Sequence, residues 1–386
     1  MHRLRFLRRL LGKGRRHHRD HDQKHPSAAI LQLPLDILLL ITDNLALHDT
    51  FLLSHTCKAL RQVTFQDWDA DISRLPFEDQ IAFWAGLAYT LPNRWACLQC
   101  CKLHPINISD VPAAFRTVRN RAFPCSIDYS RGIEIEGYSV QHYHVQFALK
   151  LSRLGNVHQQ YLAALMDSYT RTGPSLIPPL AESYAAEPRI INERFILREE
   201  WKISNNTSTA LPLLWDNTDL HIPVCPHMRM SGGPARSRSW KESSIHWMVR
   251  VSNSMQQREG SVLLKEITLL EDGIALAYES PGQWIFNSCL HCPTDFAIMI
   301  STDEQEATIR AWHDFGVEGS PLDISWKEHV KDEATHYFDV GPYLDYPHGG
   351  VRESWLEGIS HETGTNQAKL PSFFTKLIDT LSQVQY

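Results

Sequence analysis

Cysteine and histidine are the residues of this chain whose types and spacing could do chemistry. Six of the eight cysteines fall in two short-spaced groups. The first lies in the run RWACLQCCKLHP, which holds Cys97, Cys100, Cys101 and His104, with Cys125 further along. The second joins Cys225 and His227, in Cys-Pro-His, to Cys289 and Cys292, in Cys-Leu-His-Cys. Thiolate and imidazole are the ligands of tetrahedral zinc, and a C-x-x-C turn supplies two thiolates from one knuckle. Cys97, Cys100, His104 and Cys125 would make a Cys3His site. Adjacent Cys100 and Cys101 point in different directions, so one of the two ligates, and whether Cys101 or Cys125 completes the set is open. Cys225, His227, Cys289 and Cys292 would make a second Cys3His site clipping two β-hairpins together. The long separation is no objection, because loop-closure cost grows slowly with length. A structural zinc contributes on the order of 10 kcal/mol to folding. The competing readings are unligated core cysteines or a redox C-x-x-C pair.

Neither set reads as catalytic. A catalytic zinc keeps an open position with a general base nearby, and no H-E-x-x-H occurs. RING-type ligases interleave two zinc sites within a short segment, whereas these are far apart. There is no P-loop, G-x-G-x-x-G, G-x-S-x-G or kinase signature. His142, His144 and His336 sit among Tyr and Phe and read as satisfied core residues. Tryptophans 201, 215, 240, 247, 284, 312 and 326 read as core of a β domain, with some available to a recognition surface. The expectation is a protein that is not an enzyme.

The elements that must position these residues divide into two regimes. From residue 30 to 68 the pattern is helical: Leu33-Pro34 opens a helix, with Asp36 at its positive end and Ile37, Leu38, Ile41 and Leu45 at helical spacing. Asp49 is a candidate N-cap for a second helix carrying Leu52, Leu53, Cys57 and Leu60. Phe77, Ile81, Trp84 and Ala88 mark a third, and 143–153 and 157–169 flank Gly155 as two more. Beyond them the period changes. Residues 195–203, 244–252, 261–270, 273–279, 296–302 and 307–315 are short, rich in β-branched and aromatic residues, and separated by Gly, Pro and Asn. The fold class is therefore α+β, a helical N-terminal half followed by a mainly antiparallel β-rich domain. The expected parts are a basic arm at 1–27, a three-helix module at 28–70, and a helical region with the first knuckle at 71–170. A Pro/Gly/Ser-rich boundary at 171–188, the β domain at 189–330 and an extension at 331–386 complete the series. Phe374, Leu377, Ile378 and Leu381 place a final helix in that extension.

Charge separates the arm from the body. Residues 1–25 carry nine Lys/Arg against two acids, while the rest of the chain carries 29 against 42. An acidic body argues against nucleic acid as its ligand. The arm, with Phe6, Leu7, Leu10 and Leu11 on one helical face, reads as a solvated tail, a nuclear import patch or a membrane-surface contact. Its arginines leave no apolar export core, and the run Leu33–Ile41 is far too short to span a membrane. A nuclear or cytoplasmic location is expected, where clustered cysteines bind metal more often than they form disulfides.

The stretch ILQLPLDILLLITDNLALHDTFLLSHTCKALRQVTFQDW resembles an F-box. Leu33-Pro34, Asp36, Ile37-Leu38, Ile41, Leu52-Leu53-Ser54, Cys57-Lys58, Leu60-Arg61 and Trp68 follow that pattern in order. The blocks RWACLQCCKLHP, HVQFALKLSRL, CPH and CLHCPTDF, and the segment from Trp312 to Trp326, extend the likeness to a large group of uncharacterised fungal F-box proteins. The resemblance implies docking on a Skp-family adaptor linked to a cullin scaffold, with an unknown protein as substrate. The residues expected at that contact, or supporting it, are Leu33, Pro34, Ile37, Leu38, Ile41, Leu52, Leu53 and Leu60. Some 40 residues in three short helices cannot bury so much leucine internally, which fits an interaction module. The rival readings are an ordinary three-helix core, a zinc-stabilised nucleic-acid-associated protein using the arm, a metalloenzyme, and a scaffold without a ligase role.

Overall fold

The computed structural model describes residues 29–64, 66–114, 133–135, 137–155, 157–172, 181–204, 223–229, 270–330 and 347–361. It divides the chain into two compact units, with the first break after Leu87. The basic arm, strand 244–252, nearly all of 261–270 and the final helix expected at 374–381 lie outside the described residues.

The first unit is helical: α1 Leu35–Asp43, α2 Leu47–Ser54, α3 Lys58–Val63, α4 Trp68–Arg74 and most of α5 Phe77–Thr90. Pro34 caps α1 with φ −52° and ψ 146°, so it stands just before the helix, where its missing N–H costs nothing. Asp49 is not the cap of α2. That helix begins two residues earlier with Ala46 as N-cap, and Asp49 lies in its first turn, facing the positive helix end. The expected second helix is in fact two. Cys57 opens α3, its Sγ accepting the Leu60 N–H at 3.4 Å. Leu38, Phe51, Leu60, Ile72, Ile81 and Phe83 are buried. Phe51 meets Trp68 and Phe83 edge-on at 5.2 and 5.6 Å, a favoured aromatic geometry.

The second unit opens with the hairpin β1 Arg94–Cys97 and β2 Lys102–Pro105, then β3 Ile133–Ile135 and β4 Tyr138–Val140. Helices α6 His142–Leu154 and α7 Gln159–Leu165 follow. Gly155 ends α6 at φ +76° with open space where a Cβ would stand, so backbone conformation rather than crowding calls for glycine there.

The body of this unit is a six-stranded antiparallel sheet. Its strands are β5 Tyr169–Thr172, β6 Ala181–Ile191, β7 Arg194–Ser204, β10 Ile285–Ser288, β11 Thr294–Ile300 and β12 Glu306–Val317. They lie in the order β10-β11-β12-β7-β6-β5. Two consecutive three-strand meanders thus join where β12 pairs with β7. Between them in sequence come the short hairpin β8 Pro223–Cys225 with β9 Met228–Arg229, and helix α8 Leu270–Glu279. Helices α9 Ile324–Lys327 and α10 Gly350–His361 follow the sheet.

Alternation puts Phe195, Leu197, Trp201 and Ile203 of β7, Phe296 and Ile298 of β11, and Ile309 and Phe315 of β12 on one face. There they share a core with Phe147 and Leu151 of α6. On the opposite face Val351 and Trp355 of α10 pack against Ile191, Ile196, Ala297 and Trp312.

The architecture is the expected α+β: a helical N-terminal region, then an antiparallel sheet. Three local expectations differ. Residues 273–279 are helix rather than strand, because Leu270, Ile274 and Ala277 are buried at i, i+4 and i+7. The helix expected at 157–169 stops at Leu165, and Tyr169 already begins β5. The stretch 171–188 carries the end of β5 and most of β6, and the break falls after Leu87 instead. Ser and Pro there are tolerated by the strand: Pro188 sits in the middle of β6, opposite Leu197.

Candidate functional site

Two features of the structure could act on something else: an apolar helix surface in the first unit, and two Cys/His clusters in the second.

Helix α1 has the sequence LDILLLITD. A helix lying on a small core turns about one third of its circumference inward, and only Leu38 is buried here, at 7% exposure. Leu35 and Leu40 are 57% and 59% exposed, and Leu31, Leu33, Ile37 and Leu39 are exposed as well. Of the residues expected at a partner contact, Leu33, Pro34 and Ile37 face outward and Ile41, Leu52 and Leu53 are half-buried. Leu38 and Leu60 are buried and support the module from within. Leu31, Leu35, Leu39 and Leu40 were not singled out from the sequence. Their signal was present: all five residues from Leu35 to Ile41 other than Asp36 and Leu38 are aliphatic, more than one inward face can take.

In the second unit Cys225, His227, Cys289 and Cys292 bring one ligand atom each to within 4.8 Å of one another. All four are the residues expected from the sequence. Cys225 ends β8 and His227 sits in the turn to β9, while Cys289 and Cys292 form the loop between β10 and β11. That loop is held by the Cys289 N–H on the Thr294 carbonyl at 2.8 Å and by the His291 N–H on Cys289 Sγ at 3.4 Å. A tetrahedral zinc with bonds of about 2.3 Å to sulfur separates its sulfurs by roughly 3.8 Å, so the donor set fits such an ion in kind and spacing. Burial pushes the Cys225 and Cys292 thiols well above their usual range. Hydrogen bonds from those two thiols hold Cys289 far below it. A divalent cation bound there would favour the thiolate form of all three. Glu328 Oε2 stands 3.6 Å from His227 Nε2.

The other cluster is the β1–β2 hairpin. Cys97, Cys100 and His104 offer ligand atoms within 4.8 Å of one another, with Cys100 Sγ 3.0 Å from His104 Nε2. Burial pushes the Cys97 thiol up, but hydrogen bonds from His104 and from the Cys100 and Gln99 backbone outweigh it and bring the thiol down to about 7. Cys101, at φ +47°, is not among the three. Cys125 lies outside the described residues. This knuckle thus presents three of the four expected donors.

His142 and His144 are half-buried and buried as expected of core residues, but His144 Nε2 makes no hydrogen bond among the described residues. His144 is buried and 3.5 Å from the Asp110 carboxylate, and the Gln141 N–H donates to its Nδ1 at 3.1 Å. His336 lies outside the described residues. Nothing in residue type or spacing pointed to the polar chain behind Cys292. Thr294, His313 and Glu199 place hydroxyl, imidazole and carboxylate in the order of a hydrolase triad. Each is about 1% exposed, so no substrate reaches the hydroxyl there. Among the described residues no helix is long and apolar enough to cross a membrane.

Residues 30–66 match the F-box domain, a stretch that takes in α1, α2 and α3. No curated protein and no solved structure matches the chain.

Proposed function

We propose that this protein is a substrate-recruiting subunit of an SCF-type cullin-RING ubiquitin ligase, docking a Skp-family adaptor through residues 30–66. The observation that carries the reading is the F-box match lying over a helix that turns Leu35, Ile37, Leu39 and Leu40 to solvent. Each aliphatic side chain fully buried at a partner contributes roughly 1.5–3 kcal/mol, so a few suffice for stable association. The second unit is the natural place for substrate binding, and the protein is not itself an enzyme. Its share in the reaction is proximity and orientation.

The ion proposed for Cys225, His227, Cys289 and Cys292 is zinc, bound as a closed structural site. It would neutralise the thiolates and tie the β8–β9 hairpin to the β10–β11 loop. The same metal is proposed for Cys97, Cys100 and His104 with a fourth donor.

The test is co-purification of the full chain with a purified Skp-family adaptor, beside a chain lacking residues 28–70. Stoichiometric capture that vanishes with the deletion supports the reading. A folded full chain that captures no adaptor refutes it and leaves the helices as plain core.

A further inference from the structure

Directly behind Cys292 lies a chain of buried polar groups that neither adaptor docking nor metal ligation accounts for. Thr294 Oγ1 is 3.2 Å from Cys292 Sγ, 3.1 Å from His313 Nδ1 and 3.1 Å from His329 Nε2. His329 Nδ1 is 2.6 Å from the Ser325 carbonyl. His313 Nε2 stands 2.9 Å from Glu199 Oε2, a close charge contact without hydrogen-bond geometry, and the Tyr184 hydroxyl donates to the other oxygen of Glu199. Thr294, His313, His329, Glu199 and Tyr184 are each about 1% exposed. The register explains the alignment. Thr294 pairs with His313 across β11 and β12, and Glu199 of β7 lies diagonally beyond on the same sheet face.

Burying a carboxylate and two imidazoles in an apolar core is costly unless each has partners. A hydroxyl offers one hydrogen and two lone pairs. Three polar atoms ring that oxygen and hold the Thr294 side chain in one orientation. A metal-bound thiolate can only accept, and so can His329 Nε2 while its Nδ1–H donates to the Ser325 carbonyl, so the hydroxyl hydrogen is shared between Cys292 and His329. His313 Nδ1 stands within hydrogen-bond distance of the same oxygen, and the Glu199 carboxylate lies beyond its ring.

We propose that Thr294 is a positioning residue of the metal centre, fixing the sulfur of Cys292 through a buried relay anchored on His313 and Glu199. The inference rests on the metal reading of Cys225, His227, Cys289 and Cys292. Outer partners that orient ligands change metal affinity by about 10- to 100-fold when lost. Packing alone would lower the stability of loaded and metal-free protein alike and leave affinity where it was.

The experiment measures zinc affinity of the full chain by competition with a chromophoric chelator, in a Cys100→Ser background that silences the hairpin knuckle. Cobalt(II) absorption serves as a second readout of ligand geometry. Thr294→Val is expected to weaken zinc binding by about 10- to 100-fold and to alter the cobalt spectrum. Thr294→Ser, which restores the hydroxyl, is expected to stay within about threefold of the parent. Valine within about threefold of the parent, or serine as weak as valine, overturns the proposal. Should the valine chain fail to fold, Glu199→Gln is measured in the same way. A loss of more than about threefold supports the relay, and unchanged affinity overturns it. A parent that binds no zinc defeats the metal reading itself, a result distinct from either variant outcome.

Discussion

Replacing Leu35 and Leu40 together by alanine separates a docking surface from a helix core. Both side chains are a little over half exposed, at 57% and 59%. Full burial of a leucine is worth roughly 1.5–3 kcal/mol. The half still open on each can therefore contribute about 1–1.5 kcal/mol at a partner. The pair then costs about 2–3 kcal/mol, or about 30- to 150-fold in Kd. Stability of the first unit should hold, since neither residue fills its core and alanine is the better helix former. Leu38→Ala reverses the pattern. At 7% exposure it should cost about 2–5 kcal/mol of fold stability through the cavity it leaves. Leu356→Ala, a leucine 54% exposed on α10, is the control for exposed leucine in general and should leave affinity unchanged. The assay is calorimetric titration of the purified full chain with a Skp-family adaptor, alongside thermal unfolding of each variant. A well-folded Leu35→Ala/Leu40→Ala chain that binds as tightly as the parent would refute the assignment of α1 as the contact. An equal loss in the Leu356→Ala control would refute it too.

Three further outcomes follow from the second unit. Stripping metal with a strong chelator should lower its melting temperature by more than about 10 °C, since each kcal/mol moves a unit of this size by about 2–4 °C. A calorimetric scan with and without chelator reads this, and an unmoved transition would argue for plain core cysteines. Asp295 accepts the Gly349 and Arg352 N–H groups at 3.1 and 2.8 Å, doing for α10 what an N-cap does from within. Asp295→Ala should cost about 1–3 kcal/mol and raise proteolytic cleavage near residue 350, and denaturant unfolding would show it. Lys150 is buried with its ammonium on the Leu91 and Arg94 carbonyls at 3.2 and 2.7 Å, and burial lowers its pKa to about 7. Because the folded value lies below the unfolded one, charged Lys150 opposes folding below pH 7. That penalty fades as pH rises from about 7 toward 10.5, by at most about 1.4 kcal/mol per pH unit. Relative to Lys150→Met, the parent should gain stability over that window, and parallel curves would contradict the burial argument.

Features written in residue type and spacing were legible before any coordinates, and features that depend on who meets whom across the sheet were not. Cys225, His227, Cys289 and Cys292 were nameable together because ligand chemistry restricts the choice to two residue types at short intervals. Helix α1 was legible from Leu33-Pro34 onward. Its outward leucines were not separable from Leu38, because a helix that is apolar on most sides has no period to read. Residues 273–279 went wrong for the related reason that a short apolar run fits either period. Pro188 made β6 look like a boundary. Its lack of an N–H matters only if the ladder needs that donor, and nothing in the sequence states which side of a strand its neighbours take.

Thr294 marks the limit most clearly. A threonine two residues after a cysteine is unremarkable in sequence. It acquires meaning only because β11 pairs with β12 in one register, placing His313 opposite it and Glu199 one step beyond. A slip of β11 by one residue would turn Thr294 to the other face, away from His313 and Glu199. The sheet is thus more than a scaffold for the Cys289–Cys292 loop. The pairing that buries the core also supplies the loop with its polar support, so metal affinity and sheet register should fail together. Thr294→Val tests the relay without shifting the register, whereas a substitution that moved β11 would remove both at once.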